Sequence, residues 1–135
     1  MVKWIRVFVA LGGTFACATT AAGQEEAPAV PSGIALHLQE IRLEDGLFDQ
    51  PRVARFRFVA PAIGGAAGFA EVEGDFAHLC ETVALPWLTE RGDAAPRVVI
   101  SYASREIEFG SSDPDTVQFF EAFRVENGTC IWEGF

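Results

Sequence analysis

Past residue 3 the chain contains no lysine, and every other basic residue is arginine. Schiff-base chemistry and a phosphate-binding P-loop both need an ε-ammonium group, so neither has a residue to carry it in the body of the chain. Histidine is almost as scarce, with only His37 and His78. The serines of Ser101-Tyr102-Ala103-Ser104 and Ser111-Ser112 are not set in a Gly-x-Ser-x-Gly elbow, which leaves a serine-hydrolase centre without support. Cysteine is limited to Cys17, Cys80 and Cys130, none of them in the Cys-x-x-Cys spacing of a cycling redox pair.

What is present begins with an export pattern. Lys3 and Arg6 form a charged n-region, residues 7–16 an apolar h-region, and Thr19, Thr20, Ala21, Ala22 and Gly23 a small-residue cleavage zone. A signal peptide over residues 1–22 is expected, with cleavage after Ala22 or Gly23. The apolar run is interrupted by Gly12, Gly13 and Thr14 and is shorter than the about 20 residues of a permanent span, so no stable membrane insertion is expected after cleavage. Thr14-Phe15-Ala16 ahead of Cys17 does not match the Leu and small residues of a lipidation signal. Loss of Lys3 and Arg6 leaves eight arginines against 19 acids, a net charge of −11. Nucleic acid and anionic lipid are poor partners for that balance. The remaining about 112 residues suit one domain in a periplasmic or secreted location.

Residues 23–33, rich in Glu, Ala and Pro, read as a disordered N-terminal tail, and residues 34–135 as a single α+β domain. Ile34, Leu36 and Leu38 alternate with polar or small residues, and Ile41 and Leu43 resume one step out of phase, which predicts a strand bulged near Glu40. Residues 44–51 are turn-like. Residues 52–60 again show period two, with Ala54, Phe56 and Phe58 on one face and Val53, Arg55, Arg57 and Val59 on the other. Gly64, Gly65 and Gly68 mark a mobile surface loop over 61–68. Asp75 is the expected N-cap of a helix whose apolar stripe is Phe76, Leu79, Cys80, Val83 and Trp87, with a kink at Pro86 and a stop at Gly92. Residues 97–103 predict a central strand, Ile107 and Phe109 its extension or a short strand, and Asp113-Pro114-Asp115 the start of a short helix over 114–119.

Asn127-Gly128 between apolar-rich flanks is a hairpin signal. It sets Glu126 opposite Thr129, Val125 opposite Cys130 and Phe123 opposite Trp132, with Phe123, Val125, Cys130 and Trp132 on one apolar face. Cys80 and Cys130 therefore both point into the layer between helix and sheet, where a disulfide closing a loop of roughly 50 residues would stabilise the fold by about 4 kcal/mol. The expected architecture is an antiparallel sheet of four or five strands with one main helix packed on one face, stapled by that bond. Strand order is not readable from the pattern.

Catalytic residues and cofactors are not indicated. The densest polar cluster is Glu71, Glu73, Asp75 and His78, weak candidates for holding Zn²⁺ or Ca²⁺. Glu71 and Glu73 alternate onto one side of an extended segment, and His78 lies about 160° from the apolar stripe on the solvent face. An ordinary solvated face, with Asp75 as cap, explains them more simply. Arg55 and Arg57 either grip an anion or face acids across the sheet. Two functions follow: a periplasmic binding or accessory module acting on another envelope protein through Trp132 and Phe135 or through strand addition at a sheet edge, or a small metal-dependent or hydrolytic enzyme centred on Glu71, Glu73, Asp75 and His78.

Three blocks carry a resemblance: Phe56-Arg57-Phe58-Val59-Ala60-Pro61; Asp75-Phe76-Ala77-His78-Leu79-Cys80-Glu81-Thr82-Val83-Ala84-Leu85-Pro86; and Gln118-Phe119-Phe120-Glu121-Ala122-Phe123 continuing to Cys130-Ile131-Trp132-Glu133. They resemble a family of small exported proteins of unknown function from marine alphaproteobacteria. The likeness implies export and a paired Cys80 and Cys130, and it brings no established activity and no functional residue. Some members carry the label acetolactate synthase, which does not fit this chain. A thiamine-diphosphate enzyme needs several times this length and a Gly-Asp-Gly…Asn-Asn metal motif that is absent here.

Overall fold

The computed structural model describes residues 12–13 and 27–134. The expected signal peptide over 1–22 lies, apart from Gly12 and Gly13, outside the described residues, as does Phe135. Strands β1 (His37–Glu44), β2 (Val53–Val59), β3 (Arg97–Ala103), β4 (Gln118–Glu126) and β5 (Thr129–Glu133) form one sheet in the order β1-β2-β3-β4-β5. All neighbours are antiparallel except β2 and β3, which run parallel. That pair departs from an all-antiparallel expectation because the helical segment between them carries the chain back across one face, as a parallel crossover must. Bulge and hairpin fall where the pattern puts them. The β1–β2 register shifts between Leu38 and Glu40. Glu126 faces Thr129, Val125 faces Cys130 and Phe123 faces Trp132 around Asn127 (φ 51°) and Gly128 (φ 72°), the left-handed pair that a two-residue turn of this hand requires.

The crossover has three parts: helix α1 (Phe69–Leu79), a π-helical turn (Cys80–Ala84) and helix α2 (Leu85–Arg91). Helix α1 starts six residues before the expected cap. Gly68 is the N-cap, and its backbone N–H donates to the Glu71 carboxylate at 2.9 Å. The π turn lies just ahead of Pro86, whose missing N–H cannot bond back into the preceding turn, and the Leu85 N–H instead reaches Cys80 O. One extra residue in the turn advances the buried face by one position. Beyond it Ala84 and Leu88 are buried, while Val83 and Trp87, the expected stripe, are only half-buried. Gly92 (φ 66°) ends α2 as expected, with Gly92 N–H and Asp93 N–H bonded to Thr89 O and Leu88 O.

The core lies between this helical layer and the sheet. Val72, Phe76, Leu79 and Cys80 pack on Ala54, Phe56 and Phe58 of β2, Val98, Ile100 and Tyr102 of β3, and Phe123 of β4. A disulfide joins Cys80 to Cys130, whose Cα atoms are 6.3 Å apart, and so ties the π turn to β5.

Four other local expectations differ from the structure. From residue 27 the supposed tail is ordered: Val30 is buried in the core, and Gly33 N–H closes a turn onto Val30 O at 2.9 Å. Burial of Val30 outweighs the polar composition around it. The 61–68 segment holds a 3₁₀ turn, Pro61–Gly64, anchored by buried Ile63. No helix forms over 114–119 and no strand over 107–109. The Asp113 carboxylate instead accepts from Asp115 N–H (2.9 Å), the Thr116 hydroxyl (2.9 Å) and Arg105 (2.7 Å), and the chain turns directly into β4.

Candidate functional site

The four residues of the acid–histidine cluster do not converge. All four lie on α1, not partly on an extended segment. Glu71 caps the helix start, Glu73 is exposed, and His78 is half-buried with Nε2 3.1 Å from Ala29 O. Asp75 is 1 % exposed and sits inside the core. It accepts from Ser32 N–H at 2.8 Å, Ser32 Oγ at 2.5 Å and the Tyr102 hydroxyl at 3.0 Å, so it pins the N-terminal segment to helix and sheet rather than capping the helix. Burial first, then the Asp75 charge and hydrogen bond, push the Tyr102 hydroxyl far above its ordinary value. Among the described residues no group of three or more His, Cys, Asp or Glu side chains is placed to hold a metal.

The helix-free face of the sheet carries the arginines. Val53, Arg55, Arg57 and Val59 of β2 neighbour Arg97, Val99, Ser101 and Ala103 of β3 in register. Arg57 meets Glu40, the acid directly opposite it on the β1–β2 ladder, and Arg55, which lies opposite Arg42, reaches the diagonal Glu44 at 3.0 Å. Phe109 covers this end, its ring centroid 4.2, 5.6 and 5.4 Å from the guanidinium carbons of Arg42, Arg55 and Arg57. A concavity of about 630 Å³ follows, floored by Val53, Val99 and Ala122 and flanked by Arg97, Arg124 and Phe120. Its cations are paired too, Arg97 with Glu133 at 3.1 Å and Arg124 with Glu126 at 2.8 Å. In fact every described arginine meets a carboxylate. The face is therefore charge-balanced, not a cationic grip awaiting an anion.

The two sheet edges differ. At β1 the bulge residue Gln39 donates to Ile107 O at 2.9 Å, and Arg57 Nη2 donates to the same carbonyl at 2.7 Å, so the loop after β3 is bound onto that margin. That tie is made by side chains at the bulge, and no backbone bond from another described segment reaches the outer side of β1 or of β5. Trp132 stands on the β5 margin, 62 % exposed, its indole N–H 2.5 Å from Glu121. Between β5 and α1 lies a groove of about 290 Å³ lined by Phe69, Glu73, Gly74, Ala77, Glu121, Phe123 and Trp132. The sequence places Trp132 on the C-terminal ribbon, and the structure leaves it exposed there. The groove was not legible in the sequence, because it depends on α1 beginning early enough to place Phe69, Glu73 and Gly74 above β5.

These features define a disulfide-clamped α+β domain with a β-α-β crossover, a β1 edge tied at its bulge to the loop after β3, and a β5 edge that carries exposed Trp132. Within that class, the chain belongs to the family of unknown function DUF6497, whose model matches residues 11–135. No curated protein and no solved structure matches it.

Proposed function

We propose that the protein is an exported binding or accessory module of the cell envelope that acts on a protein partner through its β5 margin. The observation that carries this reading is the outer margin of β5, which no backbone bond from another described segment reaches and on which Trp132 stands exposed. An unpaired edge is a template for an added strand, and an adjoining pocket supplies side-chain selectivity. The Cys80–Cys130 bond, characteristic of oxidising compartments, supports an address outside the cytoplasm, as does the charge pattern of residues 1–22. Among the described residues no helix is long and apolar enough to cross a membrane. The enzymatic alternative loses its centre with Asp75 in the core and Glu71 at the helix cap.

The test is to express the full chain, recover it from the envelope fraction and determine its mass and thiol content. A photo-crosslinking residue is placed at Trp132 and, as control, at Asp115. The expected result is a chain beginning at Gly23 or Gln24, with no free thiol and a discrete crosslinked species from position 132 only. A full-length chain in which Cys80 and Cys130 are both reduced, or equal crosslinking from both positions, refutes the reading.

A further inference from the structure

The charges around β5 say what kind of segment its edge would take. Glu126 and Thr129 flank a two-residue turn and exchange both backbone bonds, so in the alternation of an antiparallel ladder Ile131 and Glu133 also bond inward to β4. Cys130 and Trp132 consequently turn their N–H and C=O groups outward. A strand added there pairs with those two residues, and its side chains opposite them fall on the helix side of the sheet, against Trp132 and the groove.

That groove holds carboxylates without cations. Glu73 of α1 and Glu121 of β4 make no ion pair among the described residues, and neither does Glu81 one turn beyond Ala77. Unpaired acids also lie elsewhere on the surface, at Asp49, Glu90, Glu108 and Asp115, but at this margin two of them, Glu73 and Glu121, line one groove beside an exposed strand edge. Two aromatic walls, Phe69 and Trp132, stand beside the two carboxylates, and the small residues Gly74 and Ala77 leave room between them. Aromatic faces with adjacent carboxylates attract organic cations, most strongly guanidinium. A second copy of this chain would bring like charges together at the same margin.

From these observations we propose that β5 takes an extended segment of a partner with alternating basic side chains, seated against Trp132 between Glu73 and Glu121. The proposal rests on the binding-module reading and adds the partner's chemistry to it. The probe is a blocked seven-residue peptide alternating arginine with valine, titrated into the oxidised protein by calorimetry, with amide hydrogen exchange as the positional readout. Binding should slow exchange at Cys130 and Trp132, and should weaken about tenfold in the Glu73→Gln/Glu121→Gln protein, about the size of one desolvated cation–π or charge contact. Methylating alternate backbone nitrogens of the peptide should abolish binding without any change to the protein. If a glutamate-for-arginine peptide protects the same amides equally well, the edge is a binding site and the cationic preference is wrong. If no peptide protects them, or if the protein alone protects them in a concentration-dependent way, strand addition by a basic segment is overturned, while the crosslinking from position 132 still judges the module reading separately.

Discussion

The two faces of the sheet handle charge in opposite ways. On the helix side Asp75, the one buried carboxylate among the described residues, makes no ion pair with them and is held by three neutral donors from Ser32 and Tyr102. On the helix-free side, apart from buried Arg57, carboxylates and guanidinium groups meet in partly exposed pairs beside a shallow apolar floor. Isolated from water, a polar group costs free energy unless each of its partners is present, whereas exposed ion pairs are screened and contribute little. Position, more than the number of charged contacts, therefore decides where this fold is vulnerable.

The largest expected effect is on the covered side. Replacing Cys80 and Cys130 together by serine should lower unfolding stability by about 4 kcal/mol, read by urea unfolding against the oxidised protein. Asp75→Ala should cost about 2–3 kcal/mol by leaving the Tyr102 hydroxyl and Ser32 without their acceptor, and it should also speed amide exchange around Val30. A loss below 0.5 kcal/mol would mean that the buried network is dispensable and that the contrast between the faces is false.

Tyr102 gives a pH-dependent form of the same comparison. Its proton is held more tightly in the folded state than in the unfolded chain, whose tyrosine titrates near 10.0. Above that pH the unfolded state releases a proton that the native state keeps, so stability should decline by up to about 1.4 kcal/mol per pH unit. Below it the contribution is fully present. Tyr102→Phe should flatten the alkaline decline, and an unchanged slope would assign it to other groups.

The smallest effect is expected on the open side. Arg97→Gln, which removes the contact with Glu133, should change stability by less than about 1 kcal/mol and should matter less still in 0.5 M salt. A loss as large as that of Asp75→Ala would erase the distinction between the faces.

Much of the sheet was legible in the sequence because its signals are local. The Asn127-Gly128 turn sets the β4–β5 register, and the phase slip after Leu38 marks the bulge. Cys80 and Cys130 could be paired because each faced inward on its own element. The misreadings arose where tertiary contacts outweighed local preference. Asp75 is an excellent capping residue, yet with Val72 and Leu79 three behind and four ahead it also lies on the buried stripe, and a tyrosine from β3 decides between the roles. Val30 lies in a run of proline and alanine whose composition suggests disorder, and contacts far along the chain, Ser32 with Asp75 and Ala29 O with His78, hold it inward. The parallel β2–β3 pair and the β5 groove depend on how the crossover crosses the sheet, which no short window of residues records.

The π turn at Cys80–Ala84 also makes the length of the crossover a matter of parity. Its two halves present inward faces that are one residue out of step. Excising a single residue there would restore uniform helical winding and leave Cys80 and Leu88 both turned toward the sheet, whereas the same excision within α1 would rotate the rest of that helix by about 100° about its axis. The wide turn should therefore absorb a one-residue loss that the regular winding ahead of it cannot.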